Sequence, residues 1–199
     1  MKSKTVTLIS CIALSILVYT CSGEKKQTEE QKEPAKEQVE PAPAEEVAKP
    51  KSPAAYAKNT IGNTQVQIDY YSPGVRGRNI YGGLVAYDEV WVTGAHSATS
   101  IEFSSDVELN GNKVSKGKYA LFTIPGRSEW TLIINTDYNQ HLADNYDQKK
   151  DVLRLQLTPE KLETIQEHLL YEVSPTENNE GEISISWSDI KISLKIVTS

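Results

Sequence analysis

Two arginines and a tyrosine stand close together in a glycine-containing segment, residues 72–83. Arg76 and Arg78 are two positions apart, and Tyr81 directly precedes a pair of glycines. A guanidinium group binds a carboxylate or phosphate through its planar fork of N–H donors, and glycines let backbone amides come close to such an anion. The segment therefore predicts a loop that binds a ligand.

The same segment also has a structural interpretation. A long crossover between strands would use its glycines for turns, and Arg78 would pair with a carboxylate of the domain. Residues two apart on an extended chain point to opposite sides, so we expect Arg76 and Arg78 not to hold one anion together. The spacing matches neither G-x-G-x-x-G nor a P-loop. Both interpretations stay open at this stage.

A second candidate loop covers residues 93–99, with Thr93 and His96 on either side of Gly-Ala. An imidazole in a loop titrates near neutral pH and can act as a base or bind a metal. Trp91, just before this loop, either fills a core or offers its ring to a sugar or a peptide. If His96, Arg78 and a carboxylate met in one cleft, they would suit a hydrolase.

The remaining chemical patterns are weak. His141 is followed by Asp144 and Asp147, but a His-x-x-Asp pattern in a polar loop is common. Ser97 and Ser100 lack the G-x-S-x-G pattern of a nucleophile elbow. We therefore expect no metal site and no cofactor, and no catalytic constellation is evident.

The elements that must position these residues are β-strands. Alternating or short apolar runs bounded by Gly, Pro and Asn predict strands, over residues 66–70, 90–92, 100–103, 107–109, 118–124, 130–134, 152–157, 183–187 and 190–196. Asn110-Gly111 predicts a tight hairpin, and Trp91, Trp130 and Trp187 all lie in strand-like segments. Seven to ten strands favour an all-β fold, an antiparallel β-sandwich or jelly-roll-like single domain.

One segment, residues 158–171, fits two patterns. Leu162, Ile165 and Leu169 have helical spacing after Thr158-Pro159, whereas Ile165, Leu169 and Tyr171 also alternate. We expect a turn or short helix at 159–163 that leads into a strand.

The N-terminal residues have the pattern of a targeting signal. Two lysines precede an apolar run from Val6 to Val18, too short to span a bilayer, and Cys21 follows. This pattern predicts a lipoprotein signal peptide, residues 1–20, and lipidation of Cys21, which would anchor the chain to a membrane of the cell envelope. The outer membrane is the favoured site, facing the periplasm or the surface. A plain signal peptide or an uncleaved anchor is the alternative.

Residues 21–52 form a linker by composition. Glu, Lys, Gln, Pro and Ala dominate it and aromatic residues are absent, so it cannot bury enough apolar area to fold. The remainder, residues 53–199, has the length of one domain. It carries 13 Lys and Arg against 19 Asp and Glu, a net charge of −6 with neutral histidines. Without a basic stripe, nucleic acid is not an expected partner.

Four stretches of the domain form a distinctive set, Ser72-Pro-Gly-Val-Arg-Gly-Arg-Asn-Ile-Tyr-Gly-Gly-Leu-Val85, Val90-Trp-Val-Thr-Gly-Ala-His-Ser-Ala-Thr99, Gly117-Lys-Tyr-Ala-Leu-Phe-Thr-Ile-Pro-Gly126 and Glu129-Trp-Thr131. With these stretches the domain resembles the DUF2911 family of envelope proteins. The resemblance implies the domain type and no particular activity. Val92 and His96 depart from the Arg and Asn that the resemblance implies at these positions.

Three functions remain open for such a domain. The first is a non-enzymatic binding or accessory protein, with a site for a small ligand, a glycan or an envelope protein near the 72–83 and 93–99 loops. The second is an envelope-associated hydrolase that uses His96, Arg78 and a carboxylate. The third is a structural or assembly factor, which predicts an exposed apolar patch instead of a pocket.

Overall fold

Ten strands in two antiparallel sheets make up most of residues 52–199, the part of the chain that the structure, a computed structural model, describes. The strands are β1 Ala54–Ile61, β2 Thr64–Tyr71, β3 Thr99–Phe103, β4 Val107–Leu109, β5 Asn112–Val114, β6 Gly117–Ile124, β7 Trp130–Asn135, β8 Asp151–Leu157, β9 Glu160–Pro175 and β10 Glu180–Thr198. The larger sheet has the order β1-β2-β3-β6-β7-β8 and the smaller one β5-β4-β10-β9. The predicted all-β sandwich is confirmed.

The predicted signal peptide, the lipidation of Cys21 and all of the linker up to residue 51 lie outside the described residues. Within the described range, no helix has the length and apolar character needed to cross a membrane.

The main core lies between the two sheets. Alternate residues of most strands point inward and are buried, among them Ile68, Ile101 and Leu132 from the larger sheet and Ile185 and Ile196 from the smaller one. This alternation is the period of two that identified most of the strands from the sequence.

Loops cover part of the outer face of the larger sheet. Ala120 and Phe122 of β6 and Ile133 of β7 alternate with core residues, yet they too are buried, under a second apolar cluster. Val90, Trp91, Val92, Ala98, Leu142 and Ala143 belong to that cluster. The apolar run in β6 is continuous because both faces of this strand are covered, and the covering loops are those that form the site described below.

The segment after β2 joins the two sheets at one edge. The Val75 amide donates to the Glu167 carbonyl at 2.7 Å, and the Leu169 amide donates to the Pro73 carbonyl at 3.0 Å. Because Glu167 and Leu169 belong to β9, the first candidate loop is fixed to the smaller sheet from its first residues.

Some local predictions were wrong and others are confirmed. Residues 160–175 are all strand, not a turn or short helix at 159–163, because β9 pairs along most of its length with β10. Residues 90–92 make a single bridge, Trp91 with Thr123, and no strand. The two predicted C-terminal strands are one strand with register shifts between 186 and 190. The Asn110-Gly111 hairpin is confirmed, with Leu109 paired to Asn112.

Candidate ligand-binding cleft

A cleft of about 710 Å³ opens where the 72–83 loop, the 90–96 segment and the 141–144 turn meet. Its size lies in the range of small-molecule sites. Apolar side chains form most of its lining, namely Pro73, Leu84, Val85, Val90, Trp91, Val92, Ala95, Leu142, Ala143 and Trp187. The polar lining side chains are Ser52, Arg76, Arg78, His96, His141 and Asp144.

The lining is divided by depth. Val85, Val92 and Trp187 are buried, whereas the charged or titratable side chains are exposed. The cleft thus has an apolar interior and a charged mouth. Two arginines and two histidines face a single lining carboxylate, Asp144, on a chain whose net charge is −6.

Arg78 is held in place by the backbone. Its Nε donates to the Val75 carbonyl at 3.1 Å and one terminal nitrogen donates to the Gly74 carbonyl at 2.6 Å. Among the described residues it forms no ion pair, so the structural alternative in which Arg78 pairs with a carboxylate is wrong. Two of its five N–H donors are used, and three remain.

Arg76 lines the same cleft as Arg78. The assumption of an extended chain was wrong because the segment is a turn, and the expectation that Arg76 and Arg78 do not hold one anion together stays a prediction. Arg76 and Gly77 both have positive φ, 50° and 67°, and the Arg78 amide donates back to the Val75 carbonyl. The Arg76 amide donates to the Glu167 carboxylate at 2.9 Å, so β9 fixes this turn as well.

His96 lies where two loops are joined. Its carbonyl accepts from the Leu142 amide at 2.9 Å, and Ser97 forms a bridge with His141. The His96 ring meets the Tyr71 ring edge to face, with 5.0 Å between centroids. The cleft wall therefore combines two segments that are more than 40 positions apart in the sequence.

Three residues of the cleft have a left-handed backbone although they are not glycine. The φ angles are 50° at Arg76, 64° at His96 and 48° at Leu142. Such a conformation costs roughly 1–2 kcal/mol for a residue with a side chain, and it is found preferentially at functional sites. The surrounding hydrogen bonds hold this strain in place.

His141 and Asp144 form a pair at the mouth. Nδ1 of His141 lies 2.8 Å from Oδ2 of Asp144, and both side chains are exposed. Asp147 does not join them, because its side chain caps the short helical turn Gln148–Lys150. In residues 52–199, no three His, Cys, Asp or Glu side chains are grouped in a way that suits a metal ion.

Trp91 forms part of the wall and Trp187 lies behind it. The two rings stack with 5.6 Å between centroids and 21° between planes. Trp187 is buried and its indole N–H has no acceptor among the described residues, whereas Trp91 is only half-buried. Trp187 and Trp130 fill the core, and Trp91 is shared between the core and the cleft.

Tyr81 and Thr93, two of the six candidate residues, do not line the cleft. Tyr81 packs edge to face against Trp91, Trp130 and Trp187, and burial raises the pKa of its hydroxyl. The Thr93 side chain is buried and bonds to Thr123 at 2.9 Å. Both side chains belong to the framework behind the site.

A polar network fixes the far end of the 136–150 loop. Asp151 accepts from Tyr146 at 2.6 Å, Asn135 at 2.7 Å and Arg154 at 2.8 Å. Burial, followed by the hydrogen bond to Asp151, raises the pKa of Tyr146 to about 12. The loop that carries His141 is thus tied to β7 and β8.

The fold and site define a β-sandwich domain with a cleft built from its loops. The chain belongs to the family described as "Protein of unknown function (DUF2911)", whose model matches residues 52–196. No curated protein and no solved structure matches the chain. The family resemblance inferred from the sequence is confirmed.

Proposed function

We propose that this chain is a lipid-anchored, non-enzymatic binding protein of the cell envelope, and that the cleft is its ligand site. The observation that supports this function is the convergence of Arg76, Arg78, Trp91 and His96 on one cavity. The site is small and mostly apolar inside, which favours a small molecule over a glycan chain or a protein partner.

Binding is favoured over catalysis by what surrounds the imidazoles. A hydrolase of the predicted kind needs His96, Arg78 and a carboxylate together. Arg78 and His96 do share the cleft, but the carboxylate there, Asp144, bonds to His141 instead. Among residues 52–199, the five large exposed apolar side chains each come from a different segment, so no single strand or loop there presents the apolar patch expected of an assembly factor.

The test is to fill the cleft. Ala95 lines it and is half-buried, so Ala95→Phe places a ring inside while the backbone stays intact. The probes are 1-anilinonaphthalene-8-sulfonate and N-phenyl-1-naphthylamine, which fluoresce in apolar sites, with the full chain carrying Cys21→Ser. We expect at least one probe to bind the parent protein and Ala95→Phe to weaken it at least tenfold. If neither binds, or if the variant binds equally well, the cleft is not a ligand site.

The hydrolase is the second candidate, and the His141–Asp144 pair is the observation in its favour. A carboxylate that orients an imidazole is an element of general-base catalysis. Turnover of 4-nitrophenyl acetate that disappears in His141→Asn, with probe binding unchanged, would support this alternative. Equal rates of ester hydrolysis in the parent protein and in His141→Asn would rule out the hydrolase.

A further inference from the structure

We infer that the ligand of the cleft is a small carboxylate or phosphate attached to a flat apolar body. This inference rests on the proposed function and specifies its ligand class. It follows from the charge of the mouth, the fixed orientation of Arg78 and the aromatic wall.

The charge of the mouth selects an anion. Arg78 contributes a full positive charge, and the lining carboxylate, Asp144, is engaged by His141 at 2.8 Å. The Glu167 carboxylate lies close by and accepts from the Arg76 amide, which balances part of the charge near Arg76. The argument therefore depends on Arg78, which is exposed and has backbone carbonyls as its partners.

The Arg78 side chain is oriented before a ligand arrives. Its bonds to the carbonyls of Gly74 and Val75 hold the plane of the guanidinium, and three N–H donors are left for another acceptor. A carboxylate or a phosphate matches this planar fork with two parallel bonds. Because the fork is already ordered, an anion that binds it does not have to order the side chain.

The interior selects a flat apolar group. Trp91 presents a half-buried indole, backed by Trp187 in a parallel stack, and Val92 and Leu142 line the same space. Aromatic rings pack against such an indole in offset or edge-to-face contact. A volume of about 710 Å³ accommodates a molecule of two or three rings.

The two probes used to test the cleft also test its ligand class, since they share an anilinonaphthalene body and differ by a sulfonate. We expect the sulfonate probe to bind the Cys21→Ser chain about tenfold more tightly than the neutral probe does. This difference in affinity is the gain from one charge-assisted hydrogen bond. Arg78→Gln should remove this preference and leave the affinity for the neutral probe unchanged. Arg127→Gln is the matched control, because Arg127 lies over the Tyr87 ring, at 4.6 Å, and outside the cleft lining.

Equal affinity for both probes, or equal weakening of both by Arg78→Gln, would overturn the anion selectivity while the cleft remained a ligand site. If near-ultraviolet circular dichroism shows that Arg78→Gln does not fold, the salt dependence of probe binding to the parent protein tests the inference instead. Raising NaCl from 0.05 to 0.5 M should weaken binding of the sulfonate probe more than binding of the neutral probe. A salt effect of the same size on both would contradict the inference.

Competition identifies the acid group. We expect 1-naphthoate or 1-naphthyl phosphate to displace the sulfonate at concentrations at least tenfold below those needed for neutral 1-naphthol. Displacement by either acid supports the inference, and the more effective one indicates a carboxylate or a phosphate. Equal displacement by 1-naphthol would overturn it.

Discussion

Trp91 stacks on Trp187 with 5.6 Å between ring centroids, so the aromatic wall of the cleft is continuous with the core. Trp187 is 1% exposed and packs against Tyr81 on another side. The wall is therefore rigid because it is built on buried side chains.

Substitutions at the two tryptophans should have different effects on stability and on binding. Trp187→Ala should lower the free energy of unfolding by about 3–5 kcal/mol, the usual range for a buried Trp truncation. Trp91→Ala should cost less, since Trp91 is half-buried, but it should weaken probe binding at least tenfold. Urea denaturation and probe titration measure the two effects. Equal destabilisation with unchanged binding in Trp91→Ala would show that Trp91 serves the core alone.

Burial of Tyr146 and its hydrogen bond to Asp151 should make stability depend on alkaline pH. Tyr146 has a folded-state pKa of about 12 against an ordinary value of 10.0, so the folded state holds this proton more tightly than the unfolded state. The contribution of Tyr146 to the free energy of unfolding is therefore complete below pH 10 and is lost as the pH rises from 10 to 12.

Tyr146→Phe should flatten the fall in stability over that interval. The exposed Tyr56→Phe is the control outside the network. Unfolding midpoints in urea at pH 9, 10 and 11 give the slopes. A slope unchanged from the parent protein would contradict the assignment of this alkaline sensitivity to Tyr146.

The proposed lipidation of Cys21 predicts that substituting this residue changes the compartment of the chain. Cys21→Ser should move the chain from the membrane fraction to the soluble fraction, because acyl chains would be its anchor. Cys11→Ser is the matched control, since this second cysteine lies inside the predicted signal peptide. Mass spectrometry of the N-terminal peptide measures the acyl groups. Retention of Cys21→Ser in the membrane fraction would indicate an uncleaved anchor.

The fold was predictable because most strands show their burial in the sequence. β2 and β8 alternate strictly, and the Asn110-Gly111 turn is a local signal that needs no tertiary context. β1 was missed because five of its eight residues are exposed and it has no clean apolar alternation. β9 was ambiguous because helical and strand spacings coincide there, and pairing with β10 decides between them.

The cleft was predictable only in part. The residue types of Arg78 and His96 marked two loops, but nothing local indicates that these loops meet the 141–144 turn. That contact is made by the hydrogen bond from the Leu142 amide to the His96 carbonyl and by the Ser97–His141 bridge, which join distant segments. Tyr81 and Thr93 share the same loops and yet face inward, because backbone turns reverse the direction of neighbouring side chains.

The left-handed backbone of His96 gives a test of strain at the site. With φ at 64°, a residue with a side chain is strained and glycine is not. His96→Gly should therefore be about 0.5–1 kcal/mol more stable than His96→Ala, although glycine usually destabilises a fold through the entropy of the unfolded chain. His168, exposed on β9, is the matched control, and there the glycine variant should be the less stable one. Urea denaturation of the four variants measures both differences. If the alanine variant is the more stable one at position 96, as it should be at position 168, His96 carries no backbone strain, and this evidence that the cleft is a functional site is lost.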